Sequence, residues 1–381
     1  MHRDAEYMRL CWRLARKGYG ATSPNPMVGA VLVKRGEIIG RGWHRRAGLP
    51  HAEIEALQAA RRRGDDPKGA TLYVTLEPCC THGRTPPCTD SIIAAGIQRV
   101  VVGAIDPNPC HRGHGLTVLR RAGVLVEQGL LASECAALNE SFNHWIVHRR
   151  PFVTVKTAMT LDGKIATPCG ESKWITGASA RAYAMKLRAD ADAILVGINT
   201  VLADDPALTV RNPKALRRRP SHDRVCRIVL DAQGRTPLKA RVVSDDLSKS
   251  TLVVVSKQAP QKRILALAKQ ARVMVAPSRD GQIDLRWLLK RLGQQNVTSL
   301  LVEGGGQVNA SFLLSRLAQR VAFFYAPKIL GGANALKAVA GLGVKRLKDA
   351  LALSDVRWRR VGKDWLLLAR TQLKQKPRKQ A

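Results

Sequence analysis

Four residues in the first quarter of the chain carry atoms suited to metal binding and proton transfer: His51, Glu53, Cys79 and Cys88. One imidazole nitrogen and two thiolates would fill three positions of a tetrahedral zinc site and leave the fourth for water. Zinc lowers the pKa of such a water toward neutrality. Glu53 lies two residues past His51, so it can move protons without binding the metal. The pattern predicts a hydrolytic zinc centre.

The spacing of the two cysteines departs from that of zinc deaminases acting on nucleic-acid bases, where H-x-E is followed by P-C-x-x-C. Here the spacing is C-x8-C, and Cys80 and His82 lie between as alternative ligands. We favour Cys79 and Cys88, because Cys79 follows an apolar strand and Cys88 opens a helix whose N-terminus stabilises a thiolate. The alternative is that these are ordinary buried cysteines.

Helices and strands are predicted to alternate around these residues. The hydrophobic pattern indicates a helix over Ala5–Lys17, a hairpin turn at Arg35–Gly36 and a helix over His51–Arg63, with further strands and helices after them. A last helix is predicted over Ser133–Val147. We therefore expect a first domain at residues 1–147, built as a three-layer α/β unit.

A second α/β unit is expected over residues 151–368, followed by a basic tail at 369–381 that is predicted to be disordered. The segment Asn212–Asp223 is rich in arginine and proline and is predicted to be an exposed loop. The strands predicted for this unit are Val153–Thr157, Ala193–Val196, Arg227–Leu230, Ser250–Val255, Val273–Val275, Leu300–Val302 and Val321–Tyr325.

A glycine-rich turn, Glu303–Gly306, follows one of these strands and precedes a predicted helix. Glycines in such a turn let backbone N–H groups approach a phosphate, and the helix N-terminus adds positive potential. The common dinucleotide fingerprint G-x-G-x-x-G is absent from the sequence, and a tight turn without a ligand is the alternative. Thr160–Lys164 and Asp204–Pro206 add polar residues after other strands, at the edge where open α/β sheets bind ligands.

Composition sets broad bounds on the protein. The 381 residues, 45% of them hydrophobic, predict two or three domains with substantial cores. Eight scattered cysteines fit a reducing compartment. A cytoplasmic protein is expected, since no signal-peptide pattern and no bilayer-length apolar run is present. The net charge of +34 could steer anionic substrates, bind nucleic acid or reflect a general bias. Dispersed basic residues without interleaved aromatics disfavour nucleic acid.

In combination, the motifs resemble those of the bifunctional riboflavin-biosynthesis enzymes, in which a pyrimidine deaminase is fused to a reductase. The resemblance covers about residues 1–365. In the first domain it rests on Ser23–Gly29, Gly42–His44, Ala47–Glu53, Thr75–Cys79, His82–Cys88 and Asp106–Pro109. In the second domain it rests on Leu161–Lys164, Trp174–Thr176, Thr200–Pro206, Val302–Gly305 and Ala326–Gly332.

The resemblance implies a cytidine-deaminase-like first domain and a dihydrofolate-reductase-like second domain. It implies zinc-dependent removal of the 2-amino group of 2,5-diamino-6-ribosylamino-4(3H)-pyrimidinone 5′-phosphate. Reduction of the ribosyl group with NADPH would then give 5-amino-6-ribitylamino-uracil 5′-phosphate. The expected cofactors are Zn²⁺ and NADPH. The expected partners are this small phosphorylated substrate and further copies of the chain, with neither nucleic acid nor membrane.

The resemblance also implies roles for individual residues. The zinc ligands would be His51, Cys79 and Cys88, with Glu53 as proton shuttle and Asn25 against the pyrimidine. The residues expected to line NADPH are Ala158, Trp174, Thr200, Asp204, Gly305, Gly306, Gln307, Val308, Asn309, Ala310 and Ser311. Those expected to contact the substrate of the reductase are Lys156, Ser172, Arg188, Leu208, Arg211 and Glu303. Arginine suits a phosphate group, although a surface salt bridge is the alternative for Arg188 and Arg211.

Two other functions are consistent with part of the pattern. One is an RNA or tRNA base deaminase with a basic accessory domain, which the C-x8-C spacing and the 4% aromatic content disfavour. The other is a deaminase whose second domain has lost reductase activity, which the intact Trp174, Asp204 and Glu303–Gly305 segments disfavour. The loop Cys110–Gly115 departs from the family pattern by adding two imidazoles and a thiol.

Overall fold

Separate hydrophobic cores organise the two halves of the chain. The computed structural model describes residues 2–82, 86–211 and 225–372. Contacts divide the chain into one unit at Met1–Arg150 and another at Pro151–Ala381. The predicted loop Asn212–Asp223 and the basic residues beyond Gln372 lie outside the described residues. No helix in the described parts of the chain combines the length and apolar character needed to cross a membrane.

The first unit is built on a five-stranded sheet in the order β2-β1-β3-β4-β5, in which β1 pairs antiparallel with β2 and β3 while the other pairs are parallel. The strands are β1 (Gly29–Lys34), β2 (Glu37–Trp43), β3 (Thr71–Leu76), β4 (Arg99–Ala104) and β5 (Leu125–Gln128). The helices are α1 (His2–Ala15), α2 (Ala52–Arg62), α3 (Cys88–Ala94), α4 (His114–Arg121), α5 (Ala132–Leu138) and α6 (Glu140–His148), with a short 3₁₀ turn at Arg16–Gly18.

Close packing of α2 on the edge hairpin fixes where His51 lies. Ala30 and Leu32 on β1 are fully buried and pair with Gly42 and Gly40 of β2, which gives α2 an apolar surface to cover. Gly40 and Gly42 on β2 make the approach possible, because a Cβ at either position would collide with a backbone carbonyl of α2. The N-terminus of α2, with His51 directly before it, therefore lies against the sheet.

The single helix predicted over Ser133–Val147 is wrong, because the structure has two helices, α5 and α6, that meet at Asn139. Asn139 is 5% exposed, and its side chain accepts from Met27 N at 2.7 Å and donates to Met27 O at 2.9 Å. These two bonds hold the turn before β1, and the break in the helix directs the Asn139 side chain toward it. Tertiary hydrogen bonding therefore overrides a continuous helical pattern.

The second unit is built on a nine-stranded sheet in the order β11-β10-β9-β8-β14-β6-β15-β18-β17. All neighbours are parallel except β18, which is antiparallel to β15 and β17. Its strands are β6 (Phe152–Thr160), β8 (Ala193–Gly197), β9 (Cys226–Leu230), β10 (Thr251–Ser256), β11 (Arg272–Ala276), β14 (Ser299–Val302), β15 (Arg320–Ala326), β17 (Leu353–Val361) and β18 (Asp364–Thr371).

Two short strand pairs and several helices surround this sheet. The small strand pairs are β7 (Lys164–Ala166) with β16 (Leu336–Lys337), and β12 (Ser278–Arg279) with β13 (Gln282–Ile283). The helices are α7 (Ala178–Asp190), α8 (Ile198–Asp204), α9 (Arg241–Ser244), α10 (Gln261–Ala268), α11 (Leu285–Gln294) and α12 (Gly306–Leu314), with 3₁₀ turns at Ser248–Ser250 and Leu347–Asp349.

The C-terminal hairpin β17–β18 was not predicted. Six consecutive residues of β17 are exposed, so that strand carries no core pattern for sequence reasoning to detect. Strand β18 continues to Thr371, three residues into the segment predicted to be a disordered tail. Ala369 is 3% exposed and Thr371 is 7% exposed. The predicted start of the tail at residue 369 is therefore corrected, because pairing with β15 buries this end of the chain.

Candidate active sites

Three donor atoms converge beside the N-terminus of α2. His51 caps that helix, Cys79 follows β3, and Cys88 is the first residue of α3. The His51 Nδ1 atom lies 3.3 Å from Cys88 Sγ and 3.5 Å from Cys79 Sγ, and all three donors lie within 4.8 Å of one another. Tetrahedral zinc with ordinary bond lengths requires N–S separations of about 3.5 Å. The donor set therefore fits zinc in both chemistry and spacing.

Glu53 lies in the first turn of α2 and is 3% exposed. Burial raises the pKa of its carboxyl group, although the neighbouring His51 opposes this change. A hydrogen bond with Cys88 lowers the pKa of the Cys79 thiol to about 4, which favours the thiolate that binds metals. Glu53, which is suited to carry a proton, therefore lies beside Cys79, which is suited to bind a cation.

The two alternative ligands do not join this group. Cys80 is half-buried, and its Sγ lies 3.8 Å from His111 Nδ1 on the following loop. His82 is exposed. Among the described residues, the donors close enough to share a metal are His51, Cys79 and Cys88. The structure thus brings together the ligands favoured from sequence, while the roles of these residues stay predictions.

The turn that carries Cys79 is held by a buried carboxylate. Glu77 is 4% exposed and accepts hydrogen bonds from three backbone N–H groups between the end of β4 and the first turn of α4, those of Asp106 at 3.2 Å, Gly113 at 2.9 Å and Gly115 at 3.0 Å. A side chain at Gly115 would collide with the Pro78 carbonyl. The unusual loop Cys110–Gly115 therefore packs directly against the candidate metal centre.

A buried ion pair lies at the carboxyl end of β14 in the second unit. Glu303 follows that strand, and its two carboxylate oxygens accept from Arg188 Nε at 3.0 Å and Nη2 at 2.6 Å. Arg188 Nη1 also donates to Thr209 O at 3.0 Å. Burial raises the pKa of Glu303, but the charges of Lys156 and Arg188 outweigh burial and leave it at about 2. Three of the predicted substrate residues thus form one charged cluster.

Nine of the eleven predicted cofactor residues lie on α8, on α12 or at the cap of α12, a helix that begins three residues after Glu303. Gly305 caps α12, and a Cβ at that position would meet only Thr200 Oγ1, at 3.9 Å. Gly304 differs, because its Cβ would lie 2.6 Å from Val308. The backbone at Gly305 is therefore open on the side of Thr200, as a phosphate-binding turn requires. On α8, Asp204 accepts from Ser172 Oγ at 3.4 Å.

Several other predicted residues point elsewhere. The side chains of Leu208, Asn309 and Ala310 are 2%, 0% and 4% exposed, and Asn309 Nδ2 donates to Ala338 O at 2.8 Å. These three residues could therefore contact a ligand only through their backbone atoms. Trp174 is 65% exposed and lies under the guanidinium of Arg181, 4.5 Å from its ring centroid.

Comparison with known proteins identifies both units. The family described as RibD C-terminal domain matches residues 151–367, and the cytidine and deoxycytidylate deaminase zinc-binding region matches residues 1–104. The riboflavin biosynthesis protein RibD of Actinobacillus pleuropneumoniae is 45% identical over 364 residues, which cover 96% of this chain and 94% of that protein. The chain belongs to the RibD family.

Solved structures agree with this assignment. RibD of Acinetobacter baumannii superposes with a TM-score of 0.85 at 33% identity, covering 98% of this chain and 99% of the other. A Thermotoga maritima protein, described as a diaminohydroxyphosphoribosylaminopyrimidine deaminase and 5-amino-6-(5-phosphoribosylamino)uracil reductase, superposes with a TM-score of 0.80 at 36% identity, covering 97% and 99%. The predicted fold class, a cytidine-deaminase-like domain followed by a dihydrofolate-reductase-like domain, is confirmed.

Membership of the RibD family confirms the predicted activities. The chain is a bifunctional deaminase and reductase of riboflavin biosynthesis, with a zinc-dependent deaminase domain and an NADPH-dependent reductase domain. A deaminase of RNA bases with a basic accessory domain is thereby set aside, because the second unit matches a reductase family along its length.

His44 is the last residue of the RibD-like segment Gly42–His44, and the sequence alone did not indicate a role for it. His44 is 2% exposed, and its ring meets that of His51 edge-on at 5.3 Å. Its Nδ1 lies 3.1 Å from Pro50 O, so Nδ1 carries the proton, and Nε2 accepts from Asn25 Nδ2 at 3.2 Å. Burial lowers the pKa of His44. A neutral His44 therefore links Asn25, predicted to contact the pyrimidine, to the metal donors.

Proposed function

We propose that the first unit removes the 2-amino group of 2,5-diamino-6-ribosylamino-4(3H)-pyrimidinone 5′-phosphate and that the second unit reduces the ribosyl group of the product. The observation that carries the proposal is the pair of sites in one chain. The first has three metal donors beside the buried Glu53, and the second has a charged cluster beside a glycine-capped helix. The description of the Thermotoga maritima relative supports the choice of substrate.

In the deaminase, the protein residues position the pyrimidine and move protons. Zinc held by His51, Cys79 and Cys88 supplies the Lewis acidity that activates water at neutral pH. Glu53 takes a proton from the attacking water and passes it to the ring nitrogen as the C–O bond forms. Glu53 then takes the proton of the new hydroxyl group and delivers it to the amine, so that the C=O bond forms, the C–N bond breaks and ammonia departs. Asn25, oriented by His44, contacts the pyrimidine. Burial of Glu53 suits it to hold and release a proton.

In the reductase, NADPH supplies the hydride that converts the ribosyl group to a ribityl chain. The proposal assigns Lys156, Ser172, Arg188 and Glu303 to the substrate, together with Arg211 and the backbone at Leu208. Glu303 accepts two hydrogen bonds from Arg188, and this bidentate pair fixes the orientation of the guanidinium group. The backbone N–H groups at the open Gly305 turn and the Thr200 hydroxyl would donate hydrogen bonds to the cofactor phosphates.

We propose further that the domains span residues 1–147 and 151–371, the second extended from the sequence prediction to include all of β18. A cytoplasmic homo-oligomer is proposed as the working form. Eight free cysteines support a reducing compartment. Val356 and Trp358, which are 49% and 58% exposed on the terminal strand β17, support self-association. Light scattering of purified protein tests the oligomer.

The experiment that tests the proposal is product analysis with the pyrimidine phosphate and zinc-loaded protein, with and without NADPH. We expect ammonia without NADPH, and the ribityl product with oxidation of NADPH when it is added. Glu53→Gln should lower ammonia release by roughly 10²- to 10⁴-fold, because the proton shuttle is lost, while zinc content by mass spectrometry stays unchanged.

Glu55→Gln is the matched control, because it removes the same charge from the same helix at a residue paired with Arg45. Its ammonia release should match that of the wild type. Ammonia release without oxidation of NADPH would refute the reductase half of the proposal. Absence of ammonia from wild-type protein would refute the deaminase half.

A further inference from the structure

Two imidazoles lie one turn apart on α6, at the end of the first unit. His144 and His148 are four residues apart, a spacing that places both side chains on one face of a helix. Their ring centroids lie 4.6 Å apart. His144 is half-buried and His148 is exposed. An ion in solution can therefore reach the pair.

Packing of the opposite side fixes the rotation of α6. Trp145 and Ile146 are 7% and 8% exposed, so the side of the helix that carries them faces inward. Arg149, directly after the helix, holds its guanidinium 5.2 Å from the centroid of the Trp145 ring. With 3.6 residues per turn, His144 and His148 lie together on another side of the helix. The backbone under the two imidazoles is therefore set before any ligand binds.

Two histidines at positions i and i+4 on one helix face can share a transition-metal ion. Bonds of about 2.0 to 2.1 Å require the two ligating nitrogens to lie about 3 Å apart. Rotation of the exposed His148 ring about its side-chain torsions can bring the nitrogens to this separation. In the described part of the chain, three or more donors come together only at His51, Cys79 and Cys88. Water would therefore complete the coordination of an ion on α6.

The protonation state of His144 favours metal binding. Burial lowers the pKa of His144 to about 4, and the charges of His148 and Arg150 act in the same direction. The ring is therefore neutral at pH 7, and the neutral imidazole is the form that binds metals. In addition, α6 ends at His148, and the partial negative charge at a helix C-terminus stabilises a cation there.

The charge of Arg150 and the donor type restrict which cation fits. Arg150 opposes any cation at the pair, so an ion must gain its affinity from the bonds to nitrogen. Imidazole suits zinc, copper and nickel ions, whereas magnesium and calcium prefer oxygen donors. Trp145 stands where the H-E-x-x-H motif of metalloproteases has its glutamate. The pair therefore has the metal ligands of that motif without its general base.

We propose that His144 and His148 bind one divalent transition-metal ion of the zinc, copper and nickel class, at a site separate from the donors His51, Cys79 and Cys88. The inference does not rest on the proposed activities, because α6 carries none of the residues assigned to them. A saturated chain would hold two metal ions. An ion that binds only the folded helix would also stabilise the first unit against unfolding.

The test titrates Ni²⁺ into the zinc-loaded full chain, without a polyhistidine tag, by calorimetry. We expect one Ni²⁺ to bind per chain while the zinc content, measured by mass spectrometry, stays constant. His144→Asn and His148→Asn should each weaken Ni²⁺ by more than about tenfold, because loss of a residue that merely supports a metal ligand already costs about 10- to 100-fold. Mg²⁺ at the same concentration should not bind.

His114→Asn is the matched control, because it removes one exposed imidazole at the start of α4, three residues after His111. Its affinity for Ni²⁺ should equal that of the wild type. Thermal unfolding by circular dichroism without Ni²⁺ should show that all three variants fold. Saturating Ni²⁺ should raise the midpoint of the wild type and of His114→Asn, and leave those of the two α6 variants unchanged.

Four results would overturn the inference. They are no Ni²⁺ bound beyond the zinc, equal Ni²⁺ affinity in the wild type and the α6 variants, binding of Mg²⁺ as tightly as Ni²⁺, and a loss of affinity in His114→Asn as large as in His148→Asn. The last result would place the ion at the loop Cys110–Gly115. In each case ammonia release and oxidation of NADPH by the zinc-loaded wild type would leave the proposed function standing.

Discussion

Glu53 and Glu303 are both buried glutamates, yet their surroundings shift their pKa values in opposite directions. Burial raises the pKa of Glu53, and the nearby His51 offsets only part of this change. Burial also acts on Glu303, but Lys156 and Arg188 outweigh it and leave the pKa at about 2. The first environment suits a group that exchanges protons, and the second suits a fixed anion.

At this scale we predict that Glu303→Gln destabilises the second unit by roughly 3 to 5 kcal/mol at pH 7, because it leaves the buried Arg188 without its counter-charge. Urea unfolding followed by circular dichroism measures the change. Because the folded-state pKa of Glu303 is depressed, the stabilisation by its charge is complete above the ordinary value of 4.5 and is lost as the pH falls toward 2. The difference between wild type and variant should therefore shrink over that range.

Asp349→Asn is the control for this prediction. It breaks the exposed pair between Arg346 and Asp349, and exposed pairs contribute only about 0 to 1 kcal/mol. A Glu303→Gln variant no less stable than Asp349→Asn at pH 7 would show that the buried pair does not hold the site together.

At the scale of elements, contacts between distant segments decide where chemistry-bearing residues lie. Glycines on β2 let α2 approach, and this places His51 against the sheet. Glu77 accepts hydrogen bonds from three backbone N–H groups between the end of β4 and the first turn of α4, and so holds the Cys79 turn. Asn139, at the break between α5 and α6, likewise holds the turn before β1 through its two hydrogen bonds with Met27.

For this element we predict that Asn139→Ala lowers the free energy of unfolding of the first unit by roughly 1 to 3 kcal/mol, because Met27 N and O lose their buried partners. Asn139→Asp keeps the acceptor for Met27 N and loses the donor to Met27 O, so its stability should be intermediate. Urea unfolding of the full chain compares the three proteins. Equal stability of the alanine variant and the wild type would mean that water replaces both bonds at no cost.

At the scale of the whole molecule, the two activities belong to units with their own cores. The metal donors all lie within Met1–Arg150, while the charged cluster and the glycine-capped helix lie within Pro151–Ala381. Each site therefore draws the described residues that form it from a single unit.

We predict that removal of zinc by a chelator abolishes ammonia release and leaves the reductase working on deaminated substrate. The affinity for NADPH, measured by calorimetry, should change by less than about twofold, since the metal donors belong to the other unit. Addition of zinc should restore ammonia release. A chelated protein that no longer binds NADPH would show that the metal centre supports the fold of both units.

Much of the fold followed from local patterns in the sequence. The hairpin turn at Arg35–Gly36 was predicted where the structure has it, and α2 was predicted within one residue at each end, because turn residues and the spacing of apolar residues are local signals. The hairpin β17–β18 escaped prediction because β17 is largely exposed. The break between α5 and α6 at Asn139 was not predicted, because the side chain of Asn139 is hydrogen-bonded to Met27, far away in the chain.

The sequence by itself determined the class of chemistry. His51, Glu53, Cys79 and Cys88 have types and spacings that few other functions need, and the glycine turn after Glu303 indicated a phosphate-binding helix. Only the tertiary structure decided between Cys88 and Cys80 and paired Arg188 with Glu303. The physical reason is that residue types and local spacing are properties of the sequence, whereas burial and ion pairing depend on distant segments that pack together only in the folded protein.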